Sequence, residues 1–438
     1  MSDYMFALES HLDAGQNRAV AEIQRIATDA GVTVWLTGGA MRDMLRGAPI
    51  RDLDFTVERD AVKLGKALAQ TLGGEVTAED PLKRWVELQL PGATSASVGN
   101  ARGEKYAKPG GKPQIAPAAI HEDLARRDFT INAIALSLNR GSRGLLVDPA
   151  NGQADLESRE LRATNPYIFF DDPSRLFRMV RFQHVLGFSL TPRLQSQVEN
   201  ALLENYQASA PPAALGREIR AAAMDPNAVP MLEALDGYGL LKLISPALTG
   251  EKLNAACLAR FEKVAQAVLP AGSVGGGLAF LSVLIEKLNA RERAEVLRAF
   301  EMTAAETAAW KKLEAQTKKL ESALKSARIH KPSHVWEALA GASSDEVLMV
   351  LYQSQIRVVQ DRIRAFYTKY LPQAQEITAD EVAATGVKPG TPKFEKAYRA
   401  MVTARLNARP RKVVEPEAAE APPEPPLAMA GGRGRGRT

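Results

Sequence analysis

Apolar and polar positions alternate with two different periods along this chain, and the change of period divides it. Residues 1–31 read as a helical lead-in, with Val20, Ile23 and Ile26 at helical spacing. Val32–Leu36 then reads as a short β-branched strand, broken by Gly38-Gly39, with a helix from Ala40 to Arg46. A second apolar strand runs Leu53–Val57, an amphipathic helix Ala61–Leu72, and a half-buried strand Trp85–Leu90. Pro91–Pro117, rich in Gly, Ala and Lys, reads as a long loop. From about residue 121 the period is helical, with no strand signal after Leu145–Val147. The expected fold is therefore α+β: a small mixed β-sheet head followed by an extended all-α remainder. Breaks fall near Pro211-Pro212, Pro270–Gly277 and His330–Ser333.

Two features of this pattern carry chemistry. Strand, glycine pair and helix start make a seat for phosphate, because glycine lets an anion approach the backbone and first-turn N–H groups lack helical partners. Arg42 adds charge there. Asp52 and Asp54 alternate with Leu53 and Phe55, so both carboxylates share one strand face. Near a triphosphate such a pair suits Mg²⁺ ions, although Asp-x-Asp alone reads more readily as an edge strand with its polar face in water.

Composition narrows the classes. The 438 residues are 45% hydrophobic and 24% charged, as in ordinary soluble proteins, and suffice for two to four domains. A formal charge of +5 leans toward an anionic partner. A single cysteine, Cys257, excludes disulfide frameworks and Cys-based zinc sites and fits a reducing cytoplasm. The five histidines are scattered, which argues against a histidine-metal hydrolase. Neither a signal-peptide layout nor a membrane-length apolar run is read from the sequence. Beyond Lys412 come Pro, Glu and Ala and then Gly-Arg-Gly-Arg-Gly-Arg-Thr, a composition expected to stay disordered. That end reads either as a non-specific RNA tether or as a solubilising tail.

Two further blocks stand out. Glu122–Ala133 places Arg126-Arg127-Asp128 before an apolar stretch read as a helix, where Asp128 is either a helix cap or a ribose ligand. In Phe169–Phe182, Asp172 and Arg175 lie three apart and would share one side of a helix, while Asp172-Pro173 also suits an N-cap with proline following.

Gly38-Gly39-Ala40-Met41-Arg42-Asp43 with Asp52-Leu53-Asp54 resembles the signature of class II CCA-adding enzymes (tRNA nucleotidyltransferases) and bacterial poly(A) polymerases. Asp123–Ala133 and Asp148–Leu156 resemble that family's second and third motifs, and Asp171–Arg175 its fourth. The resemblance implies a nucleotidyltransferase-type head at 1–150, a base-recognising neck at 151–245, a body at 246–330, an RNA-binding tail at 331–412, and the extension at 413–438. It implies that a tRNA 3′-hydroxyl attacks the α-phosphate of CTP or ATP, with Mg²⁺ at Asp52 and Asp54. Gly38, Gly39 and Arg42 would hold the triphosphate. Arg127 and Asp128 would hold phosphate or base and ribose, Asp172 and Arg175 the base edge, and Arg178 phosphate or the neck. Poly(A) addition, or CC-only or A-only addition, shares these motifs, and a non-catalytic RNA-binding or nucleotide-sensing derivative is a further alternative.

One departure bears on activity. Family members commonly carry a third carboxylate, and the best match, Ser95–Glu104, places Ser97 there. Either two aspartates suffice, or another acid such as Glu87 substitutes, or activity is reduced.

Overall fold

The computed structural model describes residues 3–223, 225, 227–268 and 277–408. The expectations for 413–438, and most of the break at 270–277, lie outside the described residues.

Helices α1 (Asp3–His11) and α2 (Ala14–Asp29) lead in, and Asp13 caps α2 in a reciprocal box with Gln16. The sheet follows: β1 (Val34–Thr37), β2 (Asp52–Val57), β3 (Glu75–Asp80), β4 (Trp85–Leu90), β5 (Thr94–Asn100), with α3 (Gly39–Leu45) and α4 (Ala61–Leu72) interposed. β6 (Arg102–Lys105) and β7 (Gln114–Pro117) form a separate antiparallel ribbon. After α5 (Ile120–Ala125), β8 (Ala135–Ser137) and β9 (Leu146–Val147) complete a seven-stranded sheet in the order β3-β4-β5-β2-β1-β8-β9. Within this sheet β2 and β5 pair in parallel and the other described neighbours antiparallel, so the sheet is mixed.

The two sheet faces have different work. Leu53, Phe55, Val57, Val86, Leu88 and Val98 are buried on one face. That face is covered by α2 and α4. At Gly65 a Cβ would stand 2.3 Å from Val86 Cγ2, so α4 lies on the sheet only because no side chain intervenes. The other face carries Asp52, Asp54, Thr56, Ser95, Ser97 and Thr37 and floors a cleft.

The remainder is mostly helical, as expected, but a short parallel pair, Glu160–Leu161 with Ser189–Leu190, lies beyond Leu145–Val147, where no strand was expected, because two-residue strands are too short to show a period. α6 (Gly152–Ser158), α7 (Ile168–Asp171), α8 (Arg175–Val185), α9 (Pro192–Leu203), α10 (Pro212–Ala222) and α11 (Ala228–Gly237) follow the head. Further helices run to Pro392–Asn407. One continuous apolar core runs from Met5 to Leu406.

Three local expectations need correction. Pro91–Pro117 is not a loop but holds β5, β6 and β7: Thr-Ser-Ala-Ser-Val-Gly-Asn has little apolar weight, and its pairing on both sides makes it a strand. Polar Glu75–Asp80, an edge strand, went unread for the same reason. After Asp128 comes a single 3₁₀ turn, Thr130–Asn132, and then β8, not a helix. Asp172 is not on the helix with Arg175: α8 begins at Arg175, and Asp172 is extended, at φ −140° and ψ 96°, the conformation a following proline favours.

Candidate functional site

The alternation of β2 and the sheet register bring the acids together with their neighbours. Thr37, Asp54, Ser97 and Glu87 form one cross-strand row, and Asp52 pairs with Ser95 in β5. Ser97 thus stands beside Asp54, and its Oγ donates to Asp54 Oδ1 at 2.7 Å. Glu87 lies one strand farther out, and the cleft lining does not include it. Burial, with the charge of Asp54 second, pushes the Asp52 carboxyl above the usual carboxylate range even though it reaches open cleft. Two like charges and hydroxyl neighbours form an all-oxygen donor set that fits a hard divalent cation. Among the described residues no group of three or more Asp, Glu, His or Cys could hold a metal ion.

The glycine turn closes one end of this row. Gly38 has φ +70°, and a Cβ there would lie 3.1 Å from Asp54 Oδ2 and 3.2 Å from Arg127 Nη1, so the turn needs glycine for backbone and for space. Arg42, in α3, lies against Asp43 through Nε and Nη2, both at 2.9 Å, and donates to Asn132 Oδ1 at 3.0 Å. Its guanidinium also stacks 5.2 Å from the Phe182 ring centroid.

Beneath the turn, α5 supplies Asp123, fully buried and paired with Arg126 at 2.5 Å and Arg127 at 2.9 Å. Burial alone would raise this carboxyl, but the arginines hold it below its ordinary value. Arg127 Nη2 also donates to Thr37 Oγ1 at 3.1 Å and Thr56 Oγ1 at 3.0 Å, stitching α5 to β1 and β2. Asp128 Oδ1 accepts from the Phe129 amide at 2.7 Å and Asn132 Nδ2 at 3.1 Å, and Oδ2 pairs with Arg178 Nη1 at 2.9 Å. Burial opposes ionisation of Asp128, yet Arg178 and Arg175 bring it down to about 2.

Across the cleft, Asp172 Oδ1 accepts from the Ser174 amide at 3.0 Å and from Ser174 Oγ at 2.5 Å. Its cap role is therefore local to Ser174 and does not involve an ion pair with Arg175. Arg175 is 8% exposed and donates through Nη2 to the Arg126 carbonyl at 2.9 Å, tying α8 to the end of α5. Asp148 accepts from the Gly152 and Gln153 amides at 2.7 and 2.9 Å, and Gly152 lies so near Thr130 that a Cβ would be 2.2 Å from its carbonyl oxygen. The third motif thereby docks onto the turn that carries Asn132.

All ten residues singled out from the sequence (Gly38, Gly39, Arg42, Asp52, Asp54, Arg127, Asp128, Asp172, Arg175 and Arg178) line one cleft of about 1130 Å³. Residues 34–162 match the family described as the poly A polymerase head domain. The matched residues include the sheet, the glycine turn and the acid pair, and Asp172, Arg175 and Arg178 lie beyond them. An A-adding tRNA nucleotidyltransferase of Halalkalibacterium halodurans is 40% identical over 184 residues, 41% of this chain and 42% of that one. A CC-adding tRNA nucleotidyltransferase of Deinococcus radiodurans is 35% identical over 204 residues, 47% and 53% of the two chains. The chain thus spans about half or less of the length of these curated relatives. Among solved structures, a tRNA nucleotidyltransferase complexed with a primer tRNA and an incoming ATP analog is similar with a TM-score of 0.54 and 26% identity, covering 81% of this chain and 99% of that one. A tRNA-processing enzyme in an apo form gives a TM-score of 0.55 at 24% identity, covering 91% and 99%, a likeness of fold.

Asp123, Asn132 and Phe182 also line the cleft without having been singled out from the sequence, and Glu218 stands behind it, against Arg178 and Arg181. Asp123 and Asn132 lie inside the second motif and were legible as polar positions in an apolar block. Glu218 sits in an ordinary amphipathic helix and gave no signal.

Proposed function

We propose that this chain is a template-independent nucleotidyltransferase that adds C, A or both to the 3′ end of tRNA. The observation that carries the reading is the meeting on one cleft of the glycine turn, the acid pair of β2 and the Asp172–Arg175 segment, which come from separate parts of the chain. The names of the relatives, A-adding and CC-adding tRNA nucleotidyltransferases, support it.

In this reading Gly38, Gly39 and Arg42 receive the triphosphate, and Asp128 orients the ribose. Asp52 and Asp54 would hold Mg²⁺, which supplies activation of the 3′-hydroxyl and neutralisation of the departing pyrophosphate. The hydroxyl of the tRNA terminus attacks the α-phosphate of CTP or ATP, in line with the leaving pyrophosphate. Asp172 keeps Oδ2 clear of hydrogen bonds among the described residues, able to accept from the exocyclic amine of cytosine or adenine. Uracil and guanine offer a carbonyl at that position and leave the carboxylate unpaired, at a cost of about 1–3 kcal/mol or more for a charged group. Work on tRNA ends fits the cytoplasm expected from the sequence, and no described helix is long and apolar enough to cross a membrane.

The test is incubation with tRNA transcripts that lack the terminal CCA, end in CC, or are complete, each with one labelled NTP. Incorporation of CTP into the first or ATP into the second is expected. Extended adenylation of the complete transcript would redirect the reading to poly(A) synthesis, and no incorporation into any of the three would overturn it.

A further inference from the structure

On the side of Arg178 away from Asp128 stands a carboxylate that no motif marked. Glu218, on α10, accepts through Oε1 from Arg178 Nε at 3.2 Å and through Oε2 from Arg181 Nε at 2.5 Å. Its side chain is only 12% exposed. Burial works against its ionisation, and the two arginines hold its carboxyl below the ordinary value, so it is charged. Arg178 is therefore gripped along its length, with Nη1 on Asp128 Oδ2 at 2.9 Å and Nε on Glu218.

The helix that carries Glu218 is itself anchored from behind. At Gly216 a Cβ would lie 2.0 Å from the Ala299 carbonyl oxygen, so α10 meets the helix Ala290–Ala299 backbone to backbone. Arg220 donates to the Phe300 carbonyl at 2.7 Å and pairs with Glu306. Glu218 is thus a fixed post to which the arginines are tied.

We propose that Glu218 is a positioning residue for the incoming nucleotide: by holding Arg178 and Arg181 in place, it fixes Asp128 for the ribose. The inference rests on the reading of the cleft given above. Arg178 and Arg181 lie three residues apart on α8, so their guanidiniums are neighbours of like charge on one helix side. A single carboxylate, Asp128, cannot satisfy both. With Glu218 neutral, Arg181 competes for Asp128, whose Oδ1 is already committed to Phe129 and Asn132, and the carboxylate leaves its set orientation. An amide at 218 accepts from one arginine and turns its NH₂ toward the N–H donors of the other.

The test uses the full chain, with calorimetric binding of ATP and of CTP in Mg²⁺ followed by steady-state incorporation into tRNA. Glu218→Gln is expected to raise Kd and KM for the nucleotide about tenfold, as displacement of an orienting group does, while kcat and the KM for tRNA stay within about twofold. Glu218→Asp, with the charge kept and the reach shortened, falls between. Adding Arg181→Ala to Glu218→Gln removes the competitor and restores nucleotide affinity, a rescue that a merely structural role for Glu218 does not produce. Wild-type nucleotide affinity in a folded Glu218→Gln protein, or a double variant as weak as the single one, overturns the proposal. Should Glu218→Gln not fold, Glu218→Asp decides: a KM equal to wild type overturns it. A wild-type protein that binds neither nucleotide overturns the reading of the cleft itself and this inference with it.

Discussion

At Asp54, Ser97 donates to one carboxylate oxygen, and the Gly38 backbone lies just beyond the other. A hydroxyl in that place orients the carboxylate without adding negative charge, so the acid pair works with a net charge of two, not three. Replacing Asp54 by Asn keeps the volume and removes a charge that, in the proposed reaction, would help hold Mg²⁺ for the attacking hydroxyl and the leaving pyrophosphate. Nucleotide incorporation is expected to fall about a thousandfold, the equivalent of several kcal/mol in the transition state, with tRNA binding retained. Labelled-NTP incorporation beside a filter-binding assay checks both halves, and undiminished incorporation would remove Asp54 from the chemistry. The alternation that put Asp52 and Asp54 on one face was legible in the sequence because it is a property of a strand alone. The contact of Ser97 with Asp54 was not, because it depends on the parallel register of β5, a strand whose small polar residues hid it.

Elements in this molecule are placed by buried polar ends as much as by apolar faces. α11 begins where Glu262, from the helix Ala255–Gln266, accepts from the Val229 amide at 3.1 Å. Burial pushes the Glu262 carboxyl up to about 7 from 4.5, although the backbone donors Val229 and Ala228 work the other way. A carboxyl whose folded-state value is raised binds its proton more tightly folded than unfolded. Its stabilising contribution is therefore complete below about 4.5 and is lost as pH rises toward about 7. The expected signature is a melting temperature that declines between pH 5 and pH 8 and flattens in Glu262→Gln, measured by thermal unfolding at fixed ionic strength. An unchanged pH slope in the variant would assign the decline to other groups. Helix positions were read well where period and punctuation agree, as in α4, whose bounds match the expectation. They were misread after Asp128, where an apolar run resolves into a 3₁₀ turn and a central strand.

For the whole molecule the seam between sheet domain and helices is also the seam of the cleft. Arg175 from α8 reaches the Arg126 carbonyl, Arg178 reaches Asp128, and Arg51 beside the acid pair reaches Asp225 at 2.9 Å. Joining the halves and shaping the site are thus done by the same side chains. Arg175→Ala leaves the half-buried Arg126 carbonyl without this donor and is expected to cost about 1 kcal/mol in urea unfolding. The same variant is expected to relax the choice of CTP and ATP over UTP and GTP. Loss of stability with nucleotide choice unchanged would show that Arg175 joins the halves without reading the base.

Within the sequence itself lay the α+β division, the glycine turn, the two acids on one face and the motif blocks, because strand alternation, helix period and turn chemistry act between residues close along the chain. Tertiary structure alone decided that Ser97 meets Asp54, that Arg178 is shared between Asp128 and Glu218, and that Asp172 stands ahead of its helix with a carboxylate oxygen open to the cleft. Those are choices among partners far apart in the chain, and only register, packing and burial select one partner from the many that charge and size would allow.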